Sequence, residues 1–165
     1  MPSNGAAPLL HELTRMIARV RRALYMAAAR ELGRRGQSIS EWAVADRLVE
    51  QRAASQKDLA ALTAQHPAGI SRLLDEMDRR GLTARALDPL DQRRRLVTLT
   101  AAGRRWHRRL EPVVQKATES ILGVLDLTEQ HQLRTLLRRI TEPRLVQVLT
   151  ADEPRAGARR RRAQR

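Results

Sequence analysis

The stretch from Pro67 to Thr100, PAGISRLLDEMDRRGLTARALDPLDQRRRLVTLT, restricts this chain of 165 residues more than any other part of it. Ile70, Leu73, Leu74 and Met77 recur at i, i+3, i+4 and i+7, which predicts a helix with one face turned to a core. Ser71, Arg72, Asp75 and Arg79 fall on the opposite face. Gly81 follows the last periodic residue, where a left-handed C-cap costs least without a Cβ. Two short strands are expected next, flanking a tight turn at Asp88-Pro89-Leu90-Asp91, with Arg93, Arg94 and Arg95 just beyond it. A helix joined to a basic hairpin is a shape that nucleic acid can use.

Charge points the same way. The formal net charge is +14 and the pI about 11.7, so a polyanion is the default partner. In the last fifteen residues, six arginines against two acids give +4, leaving +10 on residues 1–150. The basic character therefore does not reside in the tail alone. Only Tyr25, Trp42 and Trp106 are aromatic, which argues against single-strand binding on stacked rings. Cysteine is absent, which excludes a thiol switch, a disulfide frame and cysteine metal ligands. No apolar run approaches the roughly 20 residues that span a bilayer, and the N-terminus has no secretory pattern. A cytoplasmic protein without membrane contact is expected.

Residues 1–8 are small, polar and proline-flanked, and read as a flexible N-terminus. From Leu9 to Leu32 a long helix is expected, with Leu10, Leu13, Ile17, Val20 and Leu24 spaced as the seam of a helix packing along another helix. Gly33 and Gly36 should end it. Ser38 and Glu41 fit a capping box, opening a helix with Trp42, Ala45, Leu48 and Val49 on one face. Arg52-Ala53-Ala54 reads as a link, and Ser55 to Asp58 repeats the helix-start signal. Pro67 suits the first turn of the following helix. Two short helices, a tight turn and a hairpin make a winged helix-turn-helix. After Thr100 a long helix containing Pro112 is expected, which the proline should bend. A last helix follows from Leu127, with Leu133, Leu136, Leu137 and Ile140 inward and Pro143 ending it. Residues 151–165 read as a disordered basic tail.

Three ordered blocks resemble the MarR family of transcriptional regulators. Ser55-Gln56-Lys57-Asp58-Leu59-Ala60 is similar to the family's first helix of the helix-turn-helix. Gly69 to Met77, continuing through Arg80-Gly81-Leu82, is similar to its recognition helix. Asp88 to Arg93, then Val97-Thr98-Leu99-Thr100 and Gly103, is similar to its wing and the start of the next helix. The resemblance covers roughly residues 9–145. Two departures stand in the wing: Gln92 replaces an arginine, and Arg94 and Arg95 replace apolar residues.

The resemblance implies a mainly α fold with a small antiparallel β wing: a winged helix-turn-helix (about 38–103) plus a helical dimerisation lobe (about 9–33 and 104–148). It implies a homodimer on a pseudo-palindromic operator in double-stranded DNA, acting as a repressor released by a small aromatic or anionic effector. Gln65, His66, Ala68, Gly69, Ser71 and Arg72 would meet the major groove, with Gln65 and Arg72 the candidates for base contact. Arg93 would enter the minor groove, held by the turn at Asp91 and supported by Arg94. Ser55, Gln56 and Lys57 would contact phosphate, although Ser55 serves equally well as a helix cap. His11, Arg15, Met16, Tyr25 and Trp42 stand in elements that border the family's effector cavity; Trp42, at helical spacing with Ala45, also fits a core. No paired carboxylates, nucleophile–base set or glycine-rich phosphate loop suggests an enzyme. Neither cofactor nor metal is expected, since no two histidines share an i, i+4 spacing. The other reading is a ligand-independent or architectural DNA-binding protein.

Overall fold

Helix caps and one buried crossing determine how this chain is arranged. The structure, a computed structural model, describes residues 6–63, 66–88 and 95–141. In chain order the elements are α1 (Ala6–Gly33), α2 (Ile39–Gln51), β1 (Ala53–Ser55), α3 (Gln56–Leu62), α4 (Pro67–Arg79), β2 (Thr83–Leu87), β3 (Arg95–Leu99), α5 (Ala101–Leu122) and α6 (Leu127–Thr141). The expected class, mainly helical with a small antiparallel sheet, is the one observed. The helix expected from Leu9 begins three residues earlier, at Ala6. The tail from 151 and Pro143 lie outside the described residues.

Residues through Asp126 form one compact unit, and α6 belongs to a second. The first unit has a single core built from Leu32 of α1, Val44, Ala45 and Leu48 of α2, Leu59 of α3, Ile70, Leu74 and Met77 of α4, Val97 and Leu99 of β3, and Trp106 and Leu110 of α5. The α4 stripe read from the sequence is thus the core face, with Leu73 at its margin. Val49 is a correction. It was expected beside Ala45 and Leu48 but is 49% exposed, and Val44 takes the inward place. In α6, taken by itself, Leu136, Leu137 and Ile140 are exposed and not inward.

A second correction concerns residues 53–55. Read as a link, they form β1, which pairs antiparallel with β3 from Ala53↔Thr98 to Ser55↔Leu96. The strand order is β1-β3-β2, and β2 pairs with β3 from Thr83↔Leu99 to Leu87↔Arg95. This register places Val97 and Leu99 in the core and leaves Arg95 exposed at the hairpin end. The departure from the family's apolar pattern at Arg95 therefore falls on the solvent side.

The helix ends follow their chemistry. Gly81 takes φ +67 after the Arg80 cap, Gly81 N–H donates to Asp78 O and Leu82 N–H donates to Met77 O, both at 2.9 Å. Ser38 accepts from Glu41 N–H at 3.3 Å. The Glu41 carboxylate, expected to complete that capping box, instead receives Arg80 Nη1 at 2.7 Å. Glu41 is buried, and removing its partner would leave an uncompensated charge there. Arg80 also lies over the Trp106 ring, 6.0 Å from its centroid, and Trp106 Nε1–H donates to Gln37. The C-terminal end of α4 is thereby fastened to α2 and α5.

The other fastening is the start of α5. Thr100 Oγ1 accepts from Gly103 N–H at 2.9 Å and donates to Gly81 O at 2.7 Å, while Thr100 N–H donates to Leu82 O at 3.1 Å. Helix and strand run so close here that a Cβ on Gly103 would stand 2.0 Å from Leu82 O. Helix propensity alone favours alanine over glycine by roughly 1 kcal/mol. The backbone collision should win, so Gly103→Ala is expected to destabilise by about 3 kcal/mol. Urea denaturation checks this; a variant as stable as the parent would show that the crossing is looser than described.

Candidate nucleic-acid interface

Exposed backbone and side chains converge at the starts of α3 and α4. At α3, Ser55 Oγ accepts from Asp58 N–H at 3.2 Å and donates to Asp58 Oδ2 at 2.7 Å, while Ser55 N–H donates to the same carboxylate. This is a complete capping box. Ser55 is buried, so of its two readings the capping role is the one its contacts express. Gln56 is half-buried and Lys57 exposed in the first turn that follows.

At α4 the cap is His66. Its Nδ1 accepts from Ala68 N–H at 3.3 Å, which places the ring proton on Nε2. Pro67 occupies the first turn as expected. Ala68, Gly69 and Arg72 are exposed, and Ser71 is half-buried. A Cβ added at Gly69 would meet nothing within 4 Å, so no contact inside the chain requires glycine there. The surface at residues 66–72 is accordingly low, polar and open, with one long cation at its edge.

Gln65, Asp91, Arg93 and Arg94 lie outside the described residues. The described strands nevertheless fix where the hairpin leaves and returns, at Leu87 and Arg95.

Most arginines near this surface are engaged. Arg79 pairs with Glu76, Arg80 with Glu41, and Arg47 with Glu50. Arg85 on β2 reaches two carboxylates of α4: Nη2 lies 2.5 Å from Asp75 Oδ1, and Nε lies 2.8 Å from Asp78 Oδ2, the latter without the alignment of a linear hydrogen bond. Asp78 also accepts from the Thr83 hydroxyl. Arg72 enters no ion pair among the described residues.

A second feature lies between α2 and α5, a cleft of about 420 Å³ bordered by Trp42, Asp46, Glu111, Val114, Thr118 and Glu119. Trp42 is half-buried, stacks on His107 with centroids 5.2 Å apart, and has a buried Nε1–H without a partner among the described residues. His107 is itself buried, with Nε2 at 3.2 Å from Asp46 Oδ1. Of the five effector candidates, Trp42 lines this cleft. His11, Arg15, Met16 and Tyr25 lie exposed along α1 and line neither it nor the cleft of about 360 Å³ between α1 and α5. Among the described residues no three His, Cys, Asp or Glu side chains gather as metal ligands, and no helix is long and apolar enough to cross a membrane.

Three contacts escaped the sequence. Histidine is an uncommon cap, so His66 gave no start signal. The His107–Asp46 pair joins residues from separate helices with no local pattern. Arg85 gave no sign beyond being a charged residue on an expected strand, since its contact with the α4 acids depends on how that strand lies against the helix.

No protein-family profile matches the chain. The transcriptional regulator HosA of Escherichia coli O111:H- is 31% identical over 100 residues, which cover 61% of this chain and 74% of that protein. Among solved structures, a MarR-family transcriptional regulator from Rhodococcus sp. RHA1 superposes with a TM-score of 0.69 at 28% identity, covering 82% of this chain and 96% of that one. CouR from Rhodococcus jostii RHA1, bound to p-coumaroyl-CoA, gives 0.65 at 29% identity, covering 79% and 92%. Each of these two structures overlays about four-fifths of the chain. The chain belongs to the MarR family of transcriptional regulators.

Proposed function

We propose that this MarR-type regulator is a homodimer that binds a pseudo-palindromic operator in double-stranded DNA and acts as a repressor. The observation that carries the reading is the open first two turns of α4, where exposed Ala68, a Gly69 with free space at its Cβ, and an Arg72 with no ion pair among the described residues stand together. Small residues there let a groove approach the helix closely, and the helix N-terminus favours phosphate. Gln65 and Arg72 read base edges in the major groove, Arg93 enters the minor groove from a turn held by Asp91, and Arg94 adds charge beside it. Gln56 and Lys57 contact phosphate and set position without specifying sequence.

The dimer reading rests on uncovered apolar surface. Leu9, Leu10, Leu13, Met16, Ile17 and Val20 of α1 are 42–62% exposed, a stripe too extended for a free monomer surface. A second copy covers it and sets two recognition helices about one DNA turn apart, roughly 34 Å. Ile17→Glu is expected to shift the protein to monomer in sedimentation velocity; an unchanged dimer would place the interface elsewhere.

The relevant ligand cleft is the one beside Trp42. Among aromatic and anionic ligands, we favour an uncharged aromatic one with a hydrogen-bond acceptor, because Asp46, Glu111 and Glu119 border the cleft and repel an anion. The acyl-CoA ligand of CouR is consistent with an aromatic group as effector. Neutral phenols should raise the thermal midpoint more than benzoates do; the reverse order would rule out this preference.

Titration against DNA tests the central claim. Affinity for the chain's own upstream region should exceed that for random duplex by roughly a thousandfold at physiological salt. A ratio near one would favour the architectural alternative. In the same assay Arg93→Ala should cost about 1–3 kcal/mol on the specific duplex only, whereas Lys57→Ala should weaken both duplexes and reduce the salt slope by about 1.

A further inference from the structure

We propose that Arg85 is a positioning residue for DNA recognition: by holding Asp75 it keeps Arg72 available to the duplex. The inference rests on the reading of Arg72 as a DNA-contacting residue given above. Arg72, Asp75 and Arg79 share the outer side of α4, with Asp75 three residues after one arginine and four before the other. Side chains at these spacings are neighbours, about 5–6 Å apart at Cβ, and opposite charges there attract. Left to the helix alone, Asp75 would draw Arg72 into an intrahelical pair.

The strand intervenes. Arg85 Nη2 reaches Asp75 Oδ1 at 2.5 Å, and the same guanidinium contacts Asp78 through Nε at 2.8 Å. Arg79 is turned to Glu76. Each of the three carboxylates on this part of α4 therefore has a cation other than Arg72. Arg85 is well placed for this, since its side chain is 26% exposed while that of Asp75 is 59% exposed. A guanidinium carries donors in a planar fork and can serve two carboxylates at once, which a lysine ammonium on the same strand does less well. Without Arg85, Asp75 would both capture Arg72 and turn negative charge toward the phosphates. Both effects weaken DNA binding by way of residues that the strand itself never presents to the groove.

The test is a mutant cycle on the full chain, titrated with a duplex defined by footprinting its own upstream region, with the thermal midpoint of every variant recorded. Arg85→Gln should weaken binding roughly tenfold, comparable to loss of a base-contacting arginine. Asp75→Asn alone should bind at least as tightly as the parent. The double variant should regain most of the lost affinity while its thermal midpoint stays near that of Arg85→Gln. A purely structural role would leave the loss in place when Asp75→Asn is added, and that result, or parental affinity for Arg85→Gln, overturns the proposal. Should Arg85→Gln fail to fold, Arg85→Lys keeps the charge without the fork; a partial loss rescued by Asp75→Asn supports the proposal and a loss without rescue overturns it. Arg72→Ala separates the layers. Parental affinity there removes the DNA-contacting role of Arg72 and this proposal with it, whereas weakened binding without rescue in the cycle removes this proposal alone.

Discussion

The geometry of the first unit depends on one carbonyl. Leu82 O receives the Thr100 N–H and stands where Gly103 brings α5 against the strand. Three directions are set at that point: the exit of α4 through the left-handed Gly81, the base of the hairpin, and the course of α5. Because backbone atoms meet backbone atoms, the joint tolerates little displacement. The core apolar residues stabilise the unit, but they are compatible with small rotations that this joint forbids. An ion pair next to the joint adds to it, where Glu41 and Arg80 bind the C-terminal end of α4 to α2.

Charge is distributed by function as well as by amount. A chain with +14 could have scattered its arginines freely, yet those around α4 are mostly matched to acids, on their own helix or on neighbouring elements. The exposed pairs among them, such as Arg79–Glu76, contribute little to stability, typically about 0–1 kcal/mol. Their more consequential effect is to decide which cations stay uncommitted. On the reading proposed above, Arg72, which has no ion pair among the described residues, stays uncommitted because the acids beside it on α4 are held by other cations. By contrast, the α2–α5 cleft gathers carboxylates beside an indole within an otherwise basic protein, so the chain's net charge is a poor guide to what that cleft accepts.

How much was legible in the sequence varied with the range of the interaction that decides each element. The α4 stripe, the Gly81 stop, the Ser55 capping box and the Thr100 cap are local signals, and they read through to the structure. Ala53-Ala54-Ser55 has no strand signature of its own; β3 makes it a strand by pairing with it. Val44 and Val49 lie about 140° apart on opposite flanks of the Ala45–Leu48 stripe of α2, and periodicity over so short a helix does not say which flank is buried. The apolar seam of α1 was legible as a packing surface, but among the described residues most of it is left exposed. Of the candidate site, residue types and order were legible, while the ties from Arg85 to α4 required knowing how the hairpin lies against the helix.

Gly69 carries a consequence for how such a protein diversifies. Glycine within a helix costs roughly 1 kcal/mol relative to alanine, and here no neighbouring atom within 4 Å opposes a side chain. Folding alone would therefore select against it. Substitution at this position changes the outer contour of α4 without disturbing the core beneath it. On the proposed reading, the same scaffold can drift in what it recognises through residue 69 while keeping its core and joints unchanged.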